Sequence, residues 1–158
     1  MRKATAESAL KLQERIGDGF EVVEFEQPTR TSEEAAVAIG CEMAEIAKSL
    51  IFKLADGTAL LVIASGTNRV DEKKLKRLMG QKVSRASPEL VREATGFAIG
   101  GVAPVTLGEQ PATLLDADLQ KFSRIWAAGG TPRHVFAIDP RRLVEATGAV
   151  SAAFTGTP

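Results

Sequence analysis

Leu50-Ile-Phe-Lys-Leu-Ala55, Asp56-Gly57 and Thr58-Ala-Leu-Leu-Val-Ile-Ala64 form the stretch that decides the fold. Two apolar runs flank Asp-Gly, the dipeptide favoured by a tight type I′ turn, so the spacing predicts a β-hairpin. Its second arm holds the longest strictly apolar run, Ala59–Ala64. That run is far shorter than the roughly 20 residues a membrane-spanning helix needs, and no bilayer span is expected.

Upstream of the hairpin, Cys41-Glu-Met-Ala-Glu-Ile-Ala-Lys48 reads as a short helix feeding Leu50. Before it, Thr31-Ser-Glu-Glu34 fits a capping box, in which the Thr31 hydroxyl accepts from the Glu34 N–H while the Glu34 side chain reaches back. That helix runs to Ile39 and stops at Gly40. Phe20 to Phe25 reads as a strand broken at Gln27-Pro28, and Thr5 to Ile16 as an amphipathic helix ended by Gly17-Asp18-Gly19.

Downstream, Asp71 caps a helix through Met79 that Gly80 stops, and Lys82–Ser84 is a short strand. Ser87-Pro88 opens a helix ending at Gly96. Phe97 to Val105 is apolar but interrupted by Gly100, Gly101 and Pro104, which suits a loop lining a cavity. Ala112–Leu115, Arg124–Ala128 and His134–Ile138 are further strands, Asp139-Pro140 starts a last helix to about Ala146, and residues 149–158 form a loose tail. A hairpin without a regular βαβ rhythm predicts one α+β domain over residues 1–158, a mixed sheet with short helices around it.

Composition agrees. The chain has 158 residues, 44% hydrophobic and 25% charged, which excludes a disordered chain. Twenty Lys and Arg balance 20 Asp and Glu, so no global field draws nucleic acid or an acidic membrane, and any nucleic-acid contact must come from a local patch. The basic start, Met1-Arg-Lys, runs into a charged segment instead of an apolar signal region, so the expected location is cytoplasmic. One cysteine, Cys41, and one histidine, His134, offer no disulfide and no zinc set; neither a metal nor a cofactor is expected.

The Walker, Gly-x-Gly-x-x-Gly, Gly-x-Ser-x-Gly and His-Glu-x-x-His patterns are absent. Lys48 stands alone among Ile46, Ala47, Leu50 and Ile51: it is either a lysine whose stem covers apolar surface or an anion clamp. Gly100 to Pro104 is either a structural loop or a nest whose backbone groups a ligand can approach. His134 reads as a packed histidine or a site residue, Cys41 as a structural thiol, and Trp126 as core or a stacking platform. Lys73, Lys74, Lys76, Arg77, Lys82 and Arg85 form the densest basic patch; Lys73 and Arg77 share a helix face that can meet phosphates, or is simply solvated.

In order and spacing, Thr31-x-x-Glu34-Ala-Ala36, Ile46-Ala-Lys48-Ser49-Leu50, Val70-Asp71-x-x-Lys74-Leu75, Thr95-Gly-Phe97-x-x-Gly100-Gly101-Val102-x-Pro104, Asp116 and Ala128-Gly129 resemble the YbaK and prolyl-tRNA-synthetase-associated domain family. The resemblance covers almost the whole chain and implies a curved mixed sheet. It also implies an aminoacyl-tRNA deacylase serving translation fidelity, a trans-editing hydrolase that removes a wrong, small amino acid from tRNA. On this reading Lys48 and Gly100 are the catalytic positions. Thr31, Ser49, Gly101, Pro104 and His134 bind substrate, His134 beside the aminoacyl group, and Lys73, Lys74 and Arg77 touch tRNA. The implied partners are the 3′ end of an aminoacyl-tRNA and a synthetase. An aminoacyl ester is already activated, so positioning and backbone oxyanion stabilisation can suffice without a nucleophile. The alternative is a non-catalytic module of the same fold that binds a nucleotide or a partner protein.

Overall fold

The computed structural model describes residues 2–4, 6–17 and 19–156, so the expected helix start at Thr5, the break at Asp18 and the last two residues lie outside it. The first half comprises β1 (Arg2–Lys3), α1 (Glu7–Ile16), β2 (Val23–Glu24), α2 (Ser32–Ile39), β3 (Ile46–Leu54) and β4 (Ala59–Ser65). Then follow β5 (Arg69–Val70), α3 (Glu72–Met79), β6 (Val83–Arg85), α4 (Pro88–Thr95) and β7 (Ala112–Asp116). The chain closes with β8 (Ile125–Ala128), β9 (His134–Ile138), α5 (Pro140–Thr147), β10 (Val150–Ala152) and β11 (Thr155–Gly156).

The helices sit where their caps put them. Thr31, Asp71, Ser87 and Asp139 each accept from a backbone N–H in the first turn, and Gly40, Gly80, Gly96 and Gly148 follow the last turn in the left-handed region. At Thr31 one bond of the expected capping box shifts: the Glu34 carboxylate accepts from the Arg30 N–H at 2.9 Å, one residue before the cap.

Most strands join a mixed 9-stranded sheet in the order β1-β2-β9-β8-β3-β4-β7-β10, with β6 on β3, while β5 and β11 pair separately. β3 and β4 are the predicted hairpin at its centre, but the turn differs. Leu54 N–H donates to Thr58 O at 2.8 Å, and Gly57, φ 89°, is the single positive-φ residue between them. A three-residue loop with glycine in the last position closes the hairpin in place of a two-residue type I′ turn, which needs positive φ twice.

Three expectations are corrected. Cys41–Lys48 is not a helix: Met43–Glu45 makes one 3₁₀ turn, and β3 already begins at Ile46, because Ile46 and Ala47 pair with Trp126 and Ala127 of β8. The Phe20–Phe25 strand shrinks to Val23–Glu24, between β1 and β9. Within the expected loose tail, the described residues are tied down: β10 runs parallel to Leu114–Asp116, β11 pairs with β5, and Phe154 is fully buried beside Phe52 and Leu75.

The sheet separates two cores. Ala47 and Ile51 pack with Leu61, Ile63 and Phe136 on one face, whereas Leu50, Phe52 and Leu54 pack with Leu60, Val62 and Leu75 on the other. β4 pairs with β3 from Ala47 to Lys53. On the opposite edge β8 reaches only Ile46 and Ala47, and β6 only Phe52 to Leu54. Lys48 to Ile51 therefore face a slot in the sheet. Ile46 O accepts from Gly66 on the β4 side and Ile51 O accepts from Ala86 on the other. The alternation between them turns the Ser49 N–H and C=O toward the slot.

Candidate active site

A cavity of about 350 Å³ opens at this slot. Strand alternation divides its wall. On one face stand Lys48, Leu50, Trp126, in register with Ile46, and Arg85, in register with Phe52, with Ala35 of α2 packed on the same side; Arg30 and Thr31, just before α2, also line the cavity. On the other face stand Ser49, Ile51, Ala127, Val91 of α4, Ile99, Gly100 and Val102 of the glycine loop, Thr131 and His134. The charged lining residues are Arg30, Lys48 and Arg85; no carboxylate lines the cavity among the described residues. One half thus suits an anion and the other an apolar group.

Lys48 is half-buried, and its ammonium donates to Asn68 O at 2.5 Å. Asn68 is itself clamped, its Nδ2 donating to Asp116 Oδ2 and Asp118 Oδ2 at 2.8 Å each, and the buried Asp116 also accepts from Ser65 N–H at 3.0 Å. Burial, and then the neighbouring Arg69, lower the Lys48 pKa below 10.5 against the opposing pull of Asp116. Lys48 is therefore a held cation at the cavity wall, on a strand and not at the helix end that the sequence pattern suggests.

The glycine loop lies against the turn after β8. Gly100, φ 97°, is exposed and lines the cavity. Gly101 is buried away from it: a Cβ there would lie 2.5 Å from Thr131 Cα and 2.8 Å from Gly130 O, so its absent side chain lets two backbones touch. Pro104 is also buried, its carbonyl accepting from Gln110 Nε2 at 2.9 Å. Both shape the loop and do not line the cavity.

His134 is 2% exposed. Its Nε2 donates to the buried Glu24 carboxylate at 2.9 Å and its Nδ1 is engaged by the Thr131 hydroxyl, so the imidazole fixes the wall and its nitrogens are committed. Thr31 lines the cavity while its hydroxyl serves as the α2 cap. Lys73, Lys74 and Arg77 lie on α3 and do not line the cavity; Lys74 Nζ donates to Thr155 O at 2.8 Å.

Sequence reasoning missed Arg30 as a site residue, placed Arg85 only in the surface patch and left Trp126 open between core and stacking platform. The signal for Arg30 is its place beside the Thr31 cap, since a helix start that enters a cavity brings its preceding residue with it. Ser49 Oγ and Trp126 Nε1 are buried without a hydrogen-bond partner among the described residues, and both residues line the cavity.

The aminoacyl-tRNA editing domain matches residues 26–146. The chain is 37% identical over 125 residues to the uncharacterized protein YwhH of Bacillus subtilis, covering 79% of this chain and 80% of that protein. It is 42% identical over 77 residues to a proline–tRNA ligase of Thermosipho melanesiensis, but that match spans 48% of this chain and 14% of the ligase. A crystal structure described as a candidate trans-editing enzyme for prolyl tRNA synthetase superposes with a TM-score of 0.91 at 44% identity, covering 98% of this chain and 100% of the other. With its mixed sheet and its cavity at the β3 slot, the chain belongs to the aminoacyl-tRNA editing domain family.

Proposed function

We propose that this protein is a trans-editing deacylase that hydrolyses the ester linking a small, wrongly attached amino acid to tRNA, with a proline tRNA as the acceptor. The observation that carries the reading is the divided cavity: Arg30, Lys48 and Arg85 line it with no carboxylate among the described residues, Lys48 and Arg85 standing on the face suited to the terminal nucleotide and a mainly apolar wall on the face suited to the amino acid. The prolyl-tRNA connections of its relatives support the choice of acceptor.

In the proposed reaction Lys48 holds a phosphate or the backbone near the tRNA 3′ end, and the loop at Gly100 positions the aminoacyl group. Water adds to the carbonyl carbon, assisted by the vicinal ribose hydroxyl. The bond to the ribose oxygen breaks, that oxygen takes a proton, and free amino acid and uncharged tRNA leave. Backbone N–H groups at the slot, Ser49 among them, face the developing oxyanion. Among the described residues no cysteine or carboxylate lines the cavity, and the His134 nitrogens are committed, which fits chemistry by positioning.

The test is amino-acid release from tRNAs charged with alanine, serine, cysteine, threonine and proline. Faster release of one or a few small residues than in buffer supports the reading; buffer rates throughout overturn it in favour of a non-catalytic binding module. Two further outcomes are expected. Arg30→Ala and Arg85→Ala each weaken tRNA binding several-fold regardless of the attached amino acid and lower the salt slope of binding by about 1; an effect confined to one aminoacyl group contradicts this. Affinity for 5′-AMP falls as pH rises through a value below 10.5, because deprotonation of Lys48 removes the cation. A flat titration up to 10.5 argues against Lys48 as the anion clamp.

A further inference from the structure

Two residues that line the cavity each carry a buried side-chain polar atom with no partner among the described residues, Ser49 Oγ and Trp126 Nε1. Buried polar groups are almost always hydrogen-bonded, so an orphan in a cavity wall marks where a bound group completes the bond. The two lie on opposite faces of the sheet. Trp126 is in register with Ile46 and shares the Lys48 face, whereas Ser49 falls between Ala47 and Ile51, whose side chains enter the other core. The Trp126 side carries Lys48 and Arg85, and the Arg124 guanidinium lies 5.3 Å over the indole. The Ser49 side is walled by apolar groups such as Val91, Val102 and Ala127.

We infer that the slot reads an aminoacyl-nucleotide in two halves, Trp126 Nε1 donating to an oxygen of the ribose–phosphate half and Ser49 Oγ accepting from the amino group of the aminoacyl half. This rests on the deacylase reading and adds which atoms recognise which part. An indole N–H only donates, so its ligand must present an acceptor, and the cations around it select an oxygen-rich anion. An ammonium group needs an acceptor, and among the described residues no carboxylate lines the cavity to supply one. On that face the Thr131 hydroxyl is already engaged by His134, whereas the Ser49 hydroxyl has no partner and, beside the Ser49 C=O that faces the slot, can accept from the amine. The reacting ester then lies at the open edge of β3, between the two halves.

The test uses ligands that the protein cannot cleave: 5′-AMP, and 3′-deoxy-AMP carrying alanyl or propionyl on a 3′-amide, which differ only in the amine. Trp126→Phe keeps an aromatic ring and removes the N–H; Ser49→Ala removes only the hydroxyl. Trp126→Phe is expected to weaken 5′-AMP about 10-fold with the alanyl-to-propionyl preference kept. Ser49→Ala is expected to keep the 5′-AMP affinity and to lower that preference about 10-fold. Both variants acting on the same probe, or neither acting on any, overturns the inference. Trp126 is the single tryptophan, so its indole N–H gives one resonance in the unmodified protein. It is expected to shift on adding 5′-AMP and not on adding alanine methyl ester; a resonance unmoved by 5′-AMP overturns the Trp126 assignment even if the variant does not fold. Deacylation without this crossed pattern refutes the inference alone, whereas the crossed pattern without deacylation of charged tRNA refutes the deacylase reading.

Discussion

Lys48→Ala is expected to lower the rate of the proposed deacylation by about 10²–10³-fold and to leave the protein folded, the magnitude expected when a preorganised charge is removed from a site of low polarity. The cation is held in advance, its ammonium on the Asn68 carbonyl and Asn68 clamped by Asp116 and Asp118, so little reorganisation accompanies binding. Lys48 is half-buried and its removal leaves a carbonyl at the cavity edge, where water replaces the lost bond at a cost of about 1 kcal/mol. Activity therefore falls much further than stability. Parallel kcat/KM and thermal-unfolding measurements check the split, and a folded variant with the wild-type rate contradicts it.

Gly101→Ala is expected to be more damaging than Gly100→Ala, although Gly100 is the glycine that lines the cavity. At Gly100 the positive φ of 97° penalises a side chain, but the nearest atom to a Cβ is Pro132 Cγ at 3.6 Å. The cost there is strain of about 1–2 kcal/mol. At Gly101 a Cβ meets Thr131 Cα at 2.5 Å and Gly130 O and Thr131 N at 2.8 Å, all backbone. The loop and the turn after β8 must separate, which costs roughly 1–3 kcal/mol and displaces Gly100 and the Thr131 that holds His134. A shift of about 1 Å at a positioning site costs about 100-fold in rate. Deacylation kinetics of the two variants decide the order, and a Gly101→Ala enzyme as active as Gly100→Ala overturns the packing account.

The residues that were readable in the sequence are those whose conformation is set locally. Thr31, Asp71, Ser87 and Asp139 cap, Gly40, Gly80, Gly96 and Gly148 stop, and the helices between them stand near where the pattern puts them. Asp56-Gly57 marks the hairpin because glycine supplies the positive φ. Cys41–Lys48 misleads because its apolar spacing fits a helix, whereas pairing of Ile46 and Ala47 with β8, some 80 residues away, decides for a strand. The tail misleads for the same reason: a single aromatic, Phe154, and a parallel partner hold it.

The site divides in the same manner. Lys48, Ser49, Gly100, Thr31 and His134 do meet around one cavity, while Gly101 and Pro104 do not line it and Lys73, Lys74 and Arg77 stand away from it. That Arg30, Arg85 and Trp126 join the site follows from where α2, β6 and β8 end along β3. A gap between two strands leaves no local mark in the sequence of the strand they flank.

The most direct test of the account is single-turnover hydrolysis of alanyl-tRNA bearing the proline anticodon, by the wild-type protein and by Lys48→Ala. The account predicts release of alanine well above the buffer rate with wild type and a loss of about 10²–10³-fold in the variant. Release at the buffer rate with folded wild-type protein, or equal rates for the two proteins, would contradict it.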